Sequence, residues 1–169
     1  MTSIRFSNRR IHAYTSESST LERQLGTFAR FCGYVSPEDE NSTPPPMHEF
    51  RGIWDTGATN TVLSGRVAAK MGLSPYRVTK TATASHVIEC PVYMISLLLP
   101  LNVFIFNVPV TAMEFPEPDI DFLLGMDIIH LGDFAITHSK DRTKYTFQIP
   151  STHDIDFREE IDARHNEPE

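Results

Sequence analysis

Apolar residues in this chain fall in short runs rich in Val, Ile, Leu and Phe, separated by Pro, Gly, Asn and Asp. Such punctuation predicts strands rather than helices. Residues 25–35 carry Phe28, Phe31 and Tyr34 and read as one strand, 50–54 as a second, and 61–63 as a third behind a tight loop. Residues 65–71 are the one convincing helix of the middle, with Val67, Ala68 and Met71 on one face, Ser64 as N-cap and Gly72 as terminator. A Thr-rich strand at 76–83 follows, then a turn at Ala84-Ser85-His86. Strands at 87–99 and 103–113 are joined by a turn at Leu99-Pro100-Leu101-Asn102. Residues 122–124 form a fully apolar strand stopped by Gly125. A helical turn at 128–131 would be capped by Asp127 and closed by Gly132, and strands at 134–137 and 145–149 finish the core. No internal repeat is present. The expected fold is mainly β, a small barrel or sandwich with one or two short helices.

This core is expected to occupy residues 47–150. Residues 1–46 read as an N-terminal extension of uncertain structure that ends in the stiff connector Pro44-Pro45-Pro46. Residues 151–169 read as an acidic C-terminal tail with few large apolar groups (Ile155, Phe157, Ile161), dispensable for the fold unless their near-helical spacing docks a short helix. Of the formal net charge of -7, the tail supplies -5 and the other 150 residues only -2. Without a basic cluster, binding to nucleic acid is not expected, because neutralising phosphates needs Lys and Arg on one face.

The 24 uncharged residues from 90 to 113 are long enough to suggest a membrane span. Pro91, Pro100 and Pro109 interrupt them, and acids rather than Lys or Arg flank them (Glu89, Glu114), so two buried strands explain the stretch better and no membrane partner is expected. Cys32 and Cys90 are too few for a disulfide framework or a thiolate zinc site. No secretory signal is visible, and a reducing, cytoplasmic setting is the expectation.

The sharpest chemical feature is Ile53-Trp54-Asp55-Thr56-Gly57-Ala58-Thr59. An apolar strand delivers a carboxylate into a tight loop of small residues. Gly57 permits a close backbone approach, and Thr56 can stiffen the loop by hydrogen bonding. A carboxylate placed so can act as a general base if a neighbour tunes its proton. By itself Asp-Thr-Gly reads more readily as an ordinary β-turn.

Strand, Asp-Thr-Gly-Ala-Thr, Asn60 and then Thr61-Val62-Leu63-Ser64 resembles the catalytic loop of the retropepsin-like aspartic proteases. Phe122-Leu123-Leu124-Gly125-Met126-Asp127 is similar to the family's second motif, two apolar residues plus Gly before a short helix. Between the two lies a Thr-rich hairpin where the family places its flap. The helix directly after the catalytic strand looks more like the cellular and bacterial members than the compact viral ones. The resemblance spans about 47–149 and implies a small closed barrel of the retropepsin-like acid protease type. It implies Asp55 as catalytic residue, Thr56, Gly57 and Ala58 as active-site loop, Thr83, Ala84, Ser85 and His86 as substrate-binding flap, and Leu123, Leu124 and Gly125 as supporting strand.

Family flaps usually carry Gly near the tip, and none lies between Gly72 and Gly125. The chain holds a single Asp-Thr-Gly and no Asp-Ser-Gly. Since the chemistry uses two carboxylates sharing one proton, the resemblance implies a homodimer with one Asp per chain, acting on polypeptide and needing no cofactor. The alternative is a catalytically inactive module of the same fold that dimerises or binds peptides, since fold does not fix activity.

Rival chemistries have weaker support. The seven histidines are scattered without a His-Glu-x-x-His, so no metal site is expected. The loop also faintly resembles the phosphate loop of actin-like and sugar kinases, but that fold needs a far longer chain. Neither a Gly-x-Ser-x-Gly elbow nor a Walker A loop occurs. His86 at the hairpin tip reads as a solvated turn residue more readily than as a substrate contact or pH sensor.

Overall fold

The computed structural model describes residues 3–4, 10–36, 45–82 and 87–165. In chain order its elements are β1 (Ser3–Ile4), β2 (His12–Glu17), β3 (Leu25–Gly33), β4 (His48–Trp54), β5 (Val62–Ser64), α1 (Gly65–Lys70), β6 (Arg77–Ala82), β7 (Val87–Leu98), β8 (Phe104–Met113), β9 (Phe122–Leu124), α2 (Met126–Ile129), β10 (Asp133–Ser139), β11 (Arg142–Ile149) and α3 (Phe157–His165). Strand alternation decides what faces inward. In β3, Thr27, Ala29 and Phe31 are buried while Phe28 and Arg30 face out; in β11, Thr143, Tyr145, Phe147 and Ile149 are buried.

Six strands close a ring. β3 pairs antiparallel with β4 and β7, and β7 with β8. β8 runs parallel to β5, β5 antiparallel to β9, and β9 parallel to β4, which completes the circuit. β6 extends the sheet beyond β7, and β1 pairs with β8. Closure removes the edges of the six-strand ring itself. Phe31 and Phe122 meet edge-to-face at 4.8 Å in the middle of the core, among Leu63, Ile95, Leu97 and Ile105, all fully buried.

The parallel contact of β4 with β9 demands Gly52, which lies opposite Phe122. A Cβ at that position would stand 2.4 Å from the Phe122 carbonyl oxygen.

Of two expectations about element ends, one holds in position only and the other is corrected. Ser64 occupies the N-cap position of α1, but its hydroxyl makes no capping bond and lies buried without a partner among the described residues. The reason is that Ser64 is also the last residue of β5, and the strand turns its side chain into the core. The second helix begins at Met126 rather than 128, with Gly125 at the N-cap, so Asp127 falls inside the first turn and does not cap it. Gly72 does follow α1 with φ +61°, a left-handed conformation that favours glycine.

Residues before 47 contribute to the barrel itself. β3 fills the ring position between β4 and β7. β2 joins a second sheet in the order β10-β11-β2. This sheet meets the barrel through an aromatic cluster in which Trp54 stands 5.0 Å from Phe134 and 4.8 Å from Phe147, and the Tyr145 hydroxyl donates to Gly26 O at 2.5 Å. Such aromatic pairs contribute about 0.5–1.5 kcal/mol each beyond their burial.

The tail divides after its third residue. Asp133, at the start of β10, accepts the Ser151 hydroxyl at 2.5 Å, the Thr152 N–H at 2.8 Å and the His153 N–H at 2.9 Å. The Ser151 hydroxyl and then the Thr152 N–H hold the Asp133 carboxyl well below the usual carboxylate range. Helix α3 is exposed at every residue from 157 to 162, Phe157 and Ile161 included. Removal of 154–169 is therefore expected to leave Tm unchanged, while removal from 151 onward lowers it by about 2–4 °C, the shift that 1 kcal/mol gives in a chain of this size. A depressed carboxylate stabilises above its unfolded value and loses that contribution as pH falls. The gap between the two truncations should thus persist at neutral pH and shrink below about pH 4. Calorimetry of both truncations at two pH values checks this.

Candidate active site

β4 ends by delivering Asp55 to the rim of the barrel. The Asp55 N–H donates to Leu124 O at 2.9 Å, a last rung between the Asp strand and β9. Its carboxylate Oδ1 accepts the Gly57 N–H at 2.9 Å, and its carbonyl accepts the Ala58 N–H at 3.2 Å. These two bonds fold residues 55–58 into a tight turn in which the carboxylate helps hold its own loop. Asp55 is half-buried, whereas Thr56 and Gly57 are exposed. The loop offers a carboxylate on an open face.

The segment after β9 backs this loop along its length. The Met126 N–H donates to Ala58 O at 2.8 Å and the Asp127 N–H to Thr59 O at 3.2 Å. Gly125 is so close that a Cβ would lie 2.5 Å from Asn60 C and 2.9 Å from Ala58 O. Side chains add one more link. The buried Thr61 hydroxyl donates to Asp127 Oδ1 at 2.8 Å and accepts the Gly125 N–H at 3.2 Å. Burial pushes the Asp127 carboxyl up, against the Thr61 N–H and hydroxyl, which pull it down. On the other side of β9, Arg66 on α1 grips the residues just before the strand, donating to Ile120 O at 2.9 Å and to Asp121 Oδ1 at 3.1 Å.

The structure thus brings together the residues read as active-site loop, Asp55, Thr56, Gly57 and Ala58, with Leu124 and Gly125 of the supporting strand. Leu123 pairs with Ile53 on one side and Val62 on the other. Thr83, Ala84, Ser85 and His86 lie outside the described residues; β6 and β7, which lead to and from them, pair up to Ala82 and Val87. The link through Thr61 and Asp127 was not anticipated from the sequence. Its one local trace is a Thr at the head of an apolar strand, fully buried where a hydroxyl needs a partner.

Among the described residues no group of three His, Cys, Asp or Glu side chains could hold a metal ion, and no helix is long and apolar enough to cross a membrane. Cys32 and Cys90 are both buried and free, and burial pushes the Cys32 thiol up, which suits a packing role.

The two motifs thus meet in a closed six-strand barrel, the Asp-Thr-Gly loop backed by an apolar-apolar-Gly strand, an arrangement similar to that of the retropepsin-like aspartic proteases. Residues 47–128 match the family model described as aspartyl protease, and both motifs fall within them. No curated protein matches the chain at a significant level. Solved structures similar to it include a retropepsin-like aspartic protease from Rickettsia conorii, at 16% identity and TM-score 0.49, covering 85% of this chain and 99% of that one. The protease of EIAV, complexed with the inhibitor HBY-793, is similar at 18% identity and TM-score 0.43, covering 66% and 90%. The retroviral protease-like domain of Ddi1 from Leishmania major gives 13% identity and TM-score 0.36, covering 69% and 82%.

Proposed function

We propose that the protein is a homodimeric aspartic endopeptidase that hydrolyses peptide bonds with water activated between two Asp55 carboxylates, one from each chain. The observation that carries this reading is a single Asp-Thr-Gly whose loop is braced from behind and open in front. Two carboxylates at contact distance cannot both ionise, so the pair holds one proton. The ionised member takes a proton from water as the oxygen attacks the scissile carbonyl, and the protonated member donates to the carbonyl oxygen. Collapse of the tetrahedral intermediate returns a proton to the leaving amine. No cofactor is required.

In this reading Thr56 holds the two loops together across the twofold axis, Gly57 shapes the turn, and residues 83–86 of each chain cover the substrate. A polypeptide substrate binds extended, with backbone hydrogen bonds for affinity and side-chain pockets for choice. The acidic balance and the free cysteines fit a cytoplasmic setting without nucleic-acid or membrane partners.

Dilution tests the shared site. Because each active site takes half its groups from each chain, activity should rise with the square of protein concentration below the dimer dissociation constant. Strict proportionality in a protein that sediments as a monomer would overturn the model. An inactive peptide-binding module would cleave no unfolded protein at any concentration. Thermal stabilisation by a transition-state aspartic protease inhibitor, lost in Asp55→Asn, separates the two readings.

A further inference from the structure

The Thr61 hydroxyl has one proton and must serve two neighbours. It donates that proton to Asp127 Oδ1 at 2.8 Å, which leaves its oxygen free to accept the Gly125 N–H at 3.2 Å. Gly125 sits against the carbonyls of Ala58 and Asn60, and the N–H groups of Met126 and Asp127 hold the carbonyls of Ala58 and Thr59. One carboxyl therefore orients a hydroxyl, the hydroxyl anchors the glycine, and the glycine's segment holds the loop that carries Asp55. An ionised carboxylate is an acceptor only, and it enforces this polarity. A protonated carboxyl carries a donor of its own, and the charge assistance on the Thr61 bond is lost.

We infer that Asp127 is a positioning residue whose ionisation sets the geometry of the Asp55 loop, so that the proposed protease carries a second, non-catalytic acid whose protonation loosens its active site.

Burial favours the protonated form, since it raises the Asp127 carboxyl above its ordinary value. Other titratable groups on the elements packed around it are Asp55 on the loop, His130 at the end of α2, and Asp121 before β9. His130 Nδ1 lies against Met126 O, and Asp121 is paired with Arg66 at 3.1 Å. The side chain bonded to Asp127 is that of Thr61.

The inference concerns the same site as the protease reading and rests on it for its effect on activity, but the coupling itself is measurable without catalysis. In an Asp55→Asn background the proposed dyad cannot titrate. NMR amide shifts of Gly57, Ala58 and Asn60 should then still follow one titration, displaced upward from the ordinary aspartate value. That titration should vanish in Asp55→Asn/Asp127→Asn, with Tm at neutral pH no lower. Amide shifts that stay flat in the Asp55→Asn protein, or that titrate identically in the double variant, would overturn the inference whether or not the protein is a protease. In the active protein, Asp127→Asn should make the acid limb of kcat against pH less steep, and Thr61→Val should lower kcat about tenfold with KM changed less than threefold, rescued by Thr61→Ser. An unchanged acid limb in Asp127→Asn, or a Thr61→Val variant that loses only Tm, would reduce the link to a structural one.

Discussion

Asp55→Asn should abolish peptide hydrolysis, with kcat/KM falling by about 10⁴-fold or more, the upper range for one general acid-base group. Here a single codon change removes both members of the proposed pair. The amide cannot take a proton from water, and two amides cannot share one. The fold should survive, because the Asn oxygen can still accept the Gly57 N–H that Asp55 Oδ1 accepts at 2.9 Å. Tm and sedimentation should match the wild type. Mixing adds a second readout. After equal amounts of wild type and variant exchange subunits, roughly one quarter of the dimers keep two Asp55 residues, and activity should settle near a quarter of that of the same total wild-type protein. Residual activity near three quarters, the share of dimers that hold at least one Asp55, would mean that one carboxylate suffices, and the shared-dyad mechanism would fall.

The second large effect is expected at Gly125, which touches no substrate in the proposed mechanism. An added methyl would stand 2.5 Å from Asn60 C and 2.7 Å from Asn60 O, distances that real Cβ contacts do not reach. Those atoms are backbone, so no side-chain rotamer can relieve the clash. Either β9 and α2 retreat or the Asp55 loop moves. Overpacking of this kind costs about 1–3 kcal/mol, and each kcal/mol lowers Tm by about 2–4 °C at this chain length. Displacement of a reacting group by about 1 Å costs about 10²-fold in rate. Gly125→Ala should therefore lower kcat/KM by about that factor while a dimer still forms. Gly26→Ala is the control, since nothing lies within 4 Å of a Cβ built there. If Gly125→Ala keeps full activity and full Tm, β9 does not brace the loop as described.

Much of the site was legible along the chain because its signals are local. β9 falls at 122–124 as the unbroken Phe-Leu-Leu before Gly125 indicates, and β4 reaches Trp54 just before the Asp-Thr-Gly turn. Apolar runs ended by turn residues leave the same trace wherever they pack. β2 left no such trace. Its residues His12-Ala-Tyr-Thr-Ser-Glu alternate only between exposed and half-buried, and a strand of that composition is defined by its pairing with β11. Asp127 was misread for a related reason. An Asp before apolar residues is a good cap in isolation, but the chain turns into α2 two residues earlier than that cap requires and a buried hydroxyl takes the carboxylate.

The sequence by itself determined the parts whose information spans a few residues: the β character of the chain, the carboxylate in a tight loop, the apolar strand with its glycine, and the single copy of Asp-Thr-Gly. Tertiary structure decided what those parts do to one another. It placed β3 in the ring, ran β9 parallel to β4 and antiparallel to β5, and tied the start of the tail to Asp133. It also joined Thr61 to Asp127 across 66 residues. The physical reason is that a hydrogen bond or a van der Waals limit between distant segments depends on the closed geometry of the whole barrel. No periodicity or turn chemistry encodes which donor will meet which acceptor once the ring has closed.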